Sequence, residues 1–121
     1  MPIAKIACGL VALCEEGKFV EAIETYFADS VESIEPVTIP GVPRVCSGKK
    51  EVIAKNAFWL AHHRIHNVLI DGPFIGETQF ALRYHFDYSV LKTGRRQTFV
   101  EMALYTVQGG KIVLEEFYYP A

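Results

Sequence analysis

The chain contains little cysteine, and the spacing of its cysteines excludes several kinds of protein. Cys8, Cys14 and Cys46 form no C-x-x-C pair and fit no zinc-binding Cys/His pattern. Three cysteines also cannot all be paired in a disulfide framework of the kind that stabilises small secreted domains. We therefore expect reduced thiols and a cytoplasmic protein.

Clustered positive charge is missing as well. Twelve Lys and Arg residues stand against fourteen Asp and Glu residues, which gives a formal charge of -2, and no basic cluster is longer than two residues. Nucleic acid is therefore not expected as a partner, because phosphate backbones are bound by dense basic patches. No membrane association is expected either, because no hydrophobic run could span a bilayer and the apolar stretch at residues 6–14 lacks the flanks of a signal peptide.

Motifs for bound cofactors and for nucleophilic catalysis are absent too. The sequence has no glycine-rich phosphate loop and no recognisable Ser-His-Asp arrangement, so neither a nucleotide cofactor nor a serine nucleophile is expected. His63 and His66 with a glutamate could in principle bind a metal, but two histidines at a helix end need not converge. We predict no cofactor and no metal.

The hydrophobic and aromatic content is high for a short chain. Of 121 residues, 50% are hydrophobic and 12% are aromatic, which is enough for one core, and we predict a single domain over residues 1–121. Apolar residues at steps of three and four predict one helix from Ile3 to Cys14 and a second around residues 22–27. A short strand is expected at residues 30–35, followed by a proline-rich loop. A third helix is expected from Ser47-Gly48 to about His63.

The second half of the chain has a period of two residues, which indicates strands. Strands are expected around residues 68–70, 80–91, 98–107 and 112–119, separated by glycine-containing turns, and together they predict an antiparallel meander. In the second of them we expect Arg83, His85 and Asp87 to point outward, because the alternate positions are aromatic or apolar. Three helices packed on a strongly curved antiparallel sheet define an α+β fold.

Several strings of the sequence resemble the SnoaL-like branch of the nuclear transport factor 2-like superfamily, which includes ketosteroid isomerase and limonene epoxide hydrolase. They are Tyr26-Phe27-Ala28-Asp29, Gly48 before the third helix, and the hairpin at residues 105–113 that continues into Glu115-Glu116-Phe117-Tyr118-Tyr119. The similarity extends over nearly the whole chain. It implies a cone-shaped roll with a pocket at its wide end and a homodimer formed through the sheet, but it leaves the reaction open.

The resemblance to steroid isomerases also identifies a candidate base. Glu35 occupies the place of their catalytic carboxylate, at the end of the strand after the second helix. The two oxyanion donors of those enzymes correspond to Leu10 and Ala103, neither of which can donate a side-chain hydrogen bond. A steroid isomerase of that type is therefore disfavoured. Glu35 could equally be a solvated acid at a strand end.

The last hairpin predicts two further acids in the pocket. A three-residue turn pairs Tyr105 with Val113, Ala103 with Glu115 and Glu101 with Phe117. The resemblance turns this row toward the pocket, and a two-residue turn would break the grouping. Buried carboxylates need a partner, and His63 and His66 after the third helix are the candidates, although they could equally serve only to cap the helix.

These observations lead to two principal hypotheses. The first is a SnoaL-like protein that binds a small hydrophobic or aromatic molecule and, if it is an enzyme, acts as a cofactor-independent isomerase, cyclase or hydrolase. The second is a non-catalytic ligand-binding or dimerisation module whose polar residues form an internal network. The candidate catalytic residues are Glu35, His63, His66, Glu101 and Glu115. The candidate ligand-binding residues are Asn56, Trp59, Tyr105, Phe117 and Tyr119.

Overall fold

The fold is known from a computed structural model that describes residues 1–120. The helices are α1 (Ile3–Glu15), α2 (Phe19–Tyr26) and α3 (Lys49–His62). The strands are β1 (Phe27–Ile34), β2 (Val45–Ser47), β3 (His63–Ile75), β4 (Gln79–Val90), β5 (Arg96–Gln108) and β6 (Lys111–Tyr118). The short strand β2 is the one element that the sequence does not indicate.

The six strands form one open, curved sheet in the order β2-β1-β6-β5-β4-β3. β3 to β6 form the predicted antiparallel meander. The predicted α+β fold of three helices on a strongly curved sheet is confirmed. β1, however, runs parallel to β6, so the sheet is mixed and not antiparallel throughout. A parallel pair needs a long crossover connection, and here everything from the loop after β1 to β5 lies between the two strands.

The core lies between the three helices and the concave face of the sheet. α1 buries the face that carries Ile6, Leu10 and Cys14, as its three- and four-residue spacing predicts. It ends where Gly17 adopts a positive φ of 77° and its N–H donates to the carbonyl oxygen of Cys14. No helix within residues 1–120 is both long and apolar enough to cross a membrane.

The two faces of β4 differ as the alternation predicts. Phe80, Leu82, Tyr84 and Tyr88 are buried against the helices. On the outer face Arg83 is exposed, His85 pairs with Asp71 at 2.9 Å, and Asp87 pairs with Arg96 at 2.8 Å. The outward orientation of Arg83, His85 and Asp87 is confirmed.

The β5–β6 hairpin differs from the prediction in register. Gly109 and Gly110 both have positive φ and form a two-residue turn, so that Gln108 pairs with Lys111. A bulge then shifts the register, and Tyr105 pairs with Glu115 and Ala103 with Phe117. The predicted pairs are therefore wrong. The bulge adds one residue to β6, and this returns Glu115 to the same face as Tyr105.

Candidate functional site

A cavity of about 410 Å³ lies between the concave face of the sheet and the helices. Most of its wall is apolar or aromatic. Several residues of its lining carry titratable or hydrogen-bonding groups, among them Cys14, Glu35, Lys55, Asn56, Trp59, His63, Tyr84, Glu101, Tyr105, Glu115 and Tyr119. Cavities with mostly apolar walls and a few convergent polar groups are the usual form of small-molecule sites.

Glu35, directly after β1, is held at the cavity by two hydrogen bonds. The Lys55 ammonium on α3 donates to its Oε2 at 2.8 Å, and the Tyr119 hydroxyl donates to its Oε1 at 2.7 Å. The side chains of both Glu35 and Lys55 are about nine-tenths buried, at 10% and 11% exposure. Burial and the hydrogen bond to Glu35 raise the pKa of Tyr119. Glu35 is therefore a fixed carboxylate rather than a solvated acid at a strand end.

Ser33 connects this ion pair to the second acid. Lys55 Nζ donates to Ser33 Oγ at 2.6 Å, and Ser33 Oγ donates to Glu115 Oε1 at 2.7 Å. Both Ser33 and Glu115 are buried. Burial raises the pKa of Glu115, while the positive charge of Lys55 and the hydrogen bond from Ser33 act in the opposite direction.

Glu101 on β5 is the third acid of the cavity. Its side chain is half-buried and lines the cavity, and within residues 1–120 no side chain or backbone group is hydrogen-bonded to its carboxyl, whose oxygens remain accessible from the cavity. Burial, together with the negative charges of Glu35 and Glu115, raises its pKa to about 8. At neutral pH this side chain is therefore mostly a neutral carboxylic acid, which can donate a proton and then accept one.

Two tyrosines form a second polar spot deep in the cavity. The hydroxyls of Tyr84 and Tyr105 lie 2.7 Å apart, and Cys14 Sγ lies 4.0 Å from the Tyr84 hydroxyl. Burial raises the pKa of both phenols well above the usual value. It also raises the pKa of the Cys14 thiol to about 12, so all three groups keep their protons.

The structure separates the two candidate histidines. His63 lines the cavity, its ring stacks on Trp59 at 4.2 Å, and its Nδ1 lies 2.7 Å from the Trp59 carbonyl oxygen. His66 is exposed outside the cavity, where its Nε2 lies 2.7 Å from Ser89 Oγ. α3 ends at His62, and His66 falls at a bulge of β3, so it does not join the other four candidate catalytic residues.

The five candidate ligand-binding residues all line the cavity: Asn56, Trp59, Tyr105, Phe117 and Tyr119. Lys55, Ser33 and Tyr84 also belong to the site, and sequence reasoning missed them in that role. Lys55 could have been found, because it lies four residues before Trp59 on the same face of α3. Within residues 1–120 no three His, Cys, Asp or Glu side chains are grouped so that they could hold a metal ion.

Comparison with known proteins identifies relatives of this chain, both in sequence and in fold. A family model described as a SnoaL-like domain matches residues 1–119. A candidate SnoaL-like polyketide cyclase from Mesorhizobium loti is 39% identical, with a TM-score of 0.90 over 98% of this chain and 100% of that one.

More distant solved structures share the fold. An NTF2-like protein of unknown function from Burkholderia pseudomallei is 14% identical, with a TM-score of 0.83 over 97% of this chain and 89% of that one. TerC, co-crystallised with polyporic acid, is 14% identical, with a TM-score of 0.80 over 99% and 92%. No curated protein sequence matches the chain.

Proposed function

Because this chain belongs to the SnoaL-like domain family of the nuclear transport factor 2-like superfamily, we propose that its cavity binds a small, largely apolar molecule and exchanges a proton with it through Glu101. The reaction class is general acid-base catalysis at a carbon next to a carbonyl group, which is the first step of many isomerisations and cyclisations. It requires no cofactor, since a carboxyl group can itself accept and donate the proton.

The main support for this proposal is that the carboxyl group of Glu101 lines the cavity without a hydrogen-bond partner among the described residues. Among the three acids of the cavity it is the one that lacks a hydrogen-bond partner within the described residues, and its pKa of about 8 allows proton exchange near neutral pH. An effective acid-base group has a pKa close to the working pH. A carboxyl that bonds to no other residue and is accessible from the cavity can contact a bound molecule, which favours a functional over a structural explanation.

Other residues of the cavity take supporting roles in this proposal. Glu35, paired with Lys55, would serve as a second carboxylate near the reacting carbon, and His63 and Glu115 would complete the polar set. The aromatic wall, including Trp59 and Phe117, would hold a flat ligand. TerC, which shares this fold, was co-crystallised with polyporic acid, and this supports a small molecule as the ligand of this cavity.

The oxyanion site of the steroid isomerases does not fit this chain. Leu10 lines the cavity and Ala103 is buried nearby, and neither carries a donor. A missing donor costs about 3 kcal/mol of transition-state stabilisation. We therefore propose proton transfer on a ligand other than a steroid, and efficient isomerisation of a β,γ-unsaturated steroid ketone would contradict this point.

Carbon-bound hydrogen exchange is the direct test. 2-Tetralone, a flat ketone with acidic C–H groups, is incubated in D₂O with the protein, and deuterium uptake is followed by NMR. We expect exchange above the buffer rate and a loss of at least about 100-fold in Glu101→Gln. Glu116→Gln, which changes the neighbouring acid of β6 on the outer face, is the matched control and should exchange normally. Exchange that is absent, or that is unchanged in Glu101→Gln, would contradict the proposal.

A non-catalytic binding module is the second candidate function, and a specific observation favours it. Tyr119, Glu35, Lys55, Ser33 and Glu115 form a continuous chain of hydrogen bonds, as an internal structural network would. In that case the protein would bind flat apolar molecules and produce no exchange with any ketone.

We further propose that the protein is a cytoplasmic homodimer formed through the outer face of its sheet. Leu69, Phe74, Met102 and Tyr118 expose 59%, 64%, 55% and 47% of their surface on β3, β5 and β6. Such a concentration of exposed apolar side chains on a sheet is typical of an interface. The three cysteines are free thiols in the structure, which supports a reducing compartment.

A further inference from the structure

The acidic and basic groups of the cavity are unequal in number. Three carboxyl groups, those of Glu35, Glu101 and Glu115, line it together with one ammonium group, that of Lys55. The ammonium is 2.8 Å from Glu35 and is paired with it. His63 lies on the wall with its Nδ1 bound to a backbone carbonyl oxygen. The pairing of Lys55 therefore leaves two acids in the cavity without a matching cation among residues 1–120.

The two remaining acids differ in how they are satisfied. Glu115 accepts a hydrogen bond from Ser33 at 2.7 Å. Glu101 has no such bond from any described residue, and its half-buried side chain lines the cavity, with carboxyl oxygens that remain accessible from it. An unpartnered carboxyl in this position is able to interact with a bound molecule, and the bound molecule can supply the cation that the wall lacks.

Aromatic rings stand beside Glu101 on the same face of the sheet. Phe99 lies two residues earlier on β5, and its ring centroid is 5.1 Å from that of Tyr119. The neighbouring ring of Phe117 already has a cation over it, since Lys55 Nζ lies 5.2 Å from its centroid. Aromatic faces next to a carboxylate are a favourable environment for an organic cation, because the ring quadrupole and the negative charge both attract it.

We propose that the molecule bound in this cavity carries a positively charged nitrogen that lies between the carboxylate of Glu101 and the rings of Phe99 and Tyr119. This inference rests on the proposed function, since it names the substrate class of the same site. Binding of the cation releases the proton of Glu101 to solvent. The carboxylate then accepts a proton from a carbon of the ligand, and the electron pair of that C–H bond moves into the adjacent carbonyl group.

The charges around Glu101 determine how this binding depends on pH. Glu35 and Glu115 face it and raise its pKa, and Lys55 faces it with the opposite effect. Tyr119 and Tyr84 lie within electrostatic range and keep their protons. Because the cation binds the ionised form of Glu101, its affinity should rise about tenfold per pH unit below the pKa of about 8 and level off above it.

Phenyltrimethylammonium and tert-butylbenzene test the inference, because they have the same shape and differ in charge. Trp59, the single tryptophan of the chain, lies on the cavity wall, so its fluorescence reports binding of either probe. At about pH 8 we expect the ammonium probe to bind at least about tenfold more tightly than its neutral isostere. This advantage should decline toward about pH 6.

Two variants test whether Glu101 causes the preference for the ammonium probe. In Glu101→Gln the two probes should bind with affinities within about threefold of each other, since the charge that distinguishes them is gone. Glu116→Gln, the matched change on the outer face, should keep the preference. Tighter binding of tert-butylbenzene in the unaltered protein, or a preference that survives in Glu101→Gln, would overturn the inference.

The outcomes separate this inference from the proposed function. Ketone exchange that depends on Glu101, without any preference for the ammonium probe, leaves the proposed function intact and overturns the substrate class. A preference that depends on Glu101, without ketone exchange, supports the cation site and contradicts the proton transfer. If neither probe binds and no ketone exchange occurs, both proposals fail.

Discussion

The surroundings of the half-buried Glu101 side chain raise its pKa, and this makes the stability of the fold depend on pH. Its pKa is about 8 in the folded chain and near 4.5 in an unfolded chain, so the folded state keeps the proton up to a higher pH than the unfolded state does. The contribution of Glu101 to the free energy of unfolding is therefore fully present below about pH 4.5. It is lost as the pH rises from there to about 8, because over this range the unfolded chain releases the proton and the folded chain keeps it.

This pH dependence gives a first prediction. Glu101→Gln should flatten the decline in the free energy of unfolding between about pH 5 and pH 8, and should stabilise the protein by a few kcal/mol at the upper end. Urea titrations at the two pH values measure the effect. Glu116→Gln should reproduce the slope of the unaltered protein, and an equally steep slope in Glu101→Gln would show that another group causes it.

Lys55 contributes to stability through its ion pair with Glu35 and its hydrogen bond to Ser33. Its replacement by Met would leave the buried Glu35 carboxylate without its 2.8 Å partner. We expect a loss of about 3 kcal/mol in the free energy of unfolding, because removal of one member of a buried ion pair leaves an uncompensated charge.

A double variant provides the control for this second prediction. Lys55→Met combined with Glu35→Gln should recover much of the stability, since no charge of that pair remains buried. Chemical denaturation of the single and double variants measures both values. An equal loss in the two would indicate that Lys55 acts through packing, for instance over the Phe117 ring.

At the scale of elements, the turn between β5 and β6 decides which residues face the cavity. Gly109 and Gly110 adopt φ of 61° and 75°, a region that L side chains rarely occupy. A Cβ at Gly109 would meet nothing within 4 Å, whereas a Cβ at Gly110 would lie 2.7 Å from the backbone nitrogen of Met1. The two positions therefore share the backbone strain and differ in available space.

A third prediction uses this difference. Gly109→Ala should lower the free energy of unfolding by about 1 kcal/mol through strain alone. Gly110→Ala should cost more, because the start of the chain must also move. Thermal unfolding of the two variants measures the difference, and equal losses would show that Met1 yields without cost.

The elements also show why the register could not be predicted. The alternation of apolar and polar residues in β5 and β6 predicts two strands and indicates which residues share a face. The bulge, however, adds one residue to β6 without any marker in the sequence. His66 illustrates the same limit, since its spacing from His63 suits a helix end, whereas it falls at a bulge of β3. In both cases the backbone geometry changes which side chains can meet.

At the scale of the whole molecule, the exposed outer face of the sheet leads to a fourth prediction. Met102→Asp places a charge among the exposed apolar residues of β5 and should convert the proposed dimer into a monomer in sedimentation experiments. Leu91→Asp is the matched control, because Leu91 is 56% exposed in the turn after β4, away from that face. A monomer in the unaltered protein, or dissociation by both variants, would contradict a dimer formed through the sheet.

The sequence by itself determined the three helices, the four strands of the meander and the faces of α1 and β4. These features follow from the spacing of apolar residues along the chain, which is a local property and reflects which side chains are buried on folding. It also indicated Glu35, Glu101 and Glu115, through resemblance and alternation. Tertiary structure decided the parallel pairing of β1 with β6, the bulged register, and the partners of the acids, since Lys55 pairs with Glu35 and Ser33, in place of the expected histidine, bonds to Glu115. These features depend on contacts between residues far apart in the chain. Such contacts form only when the sheet curves around the helices, so no local pattern in the sequence specifies them.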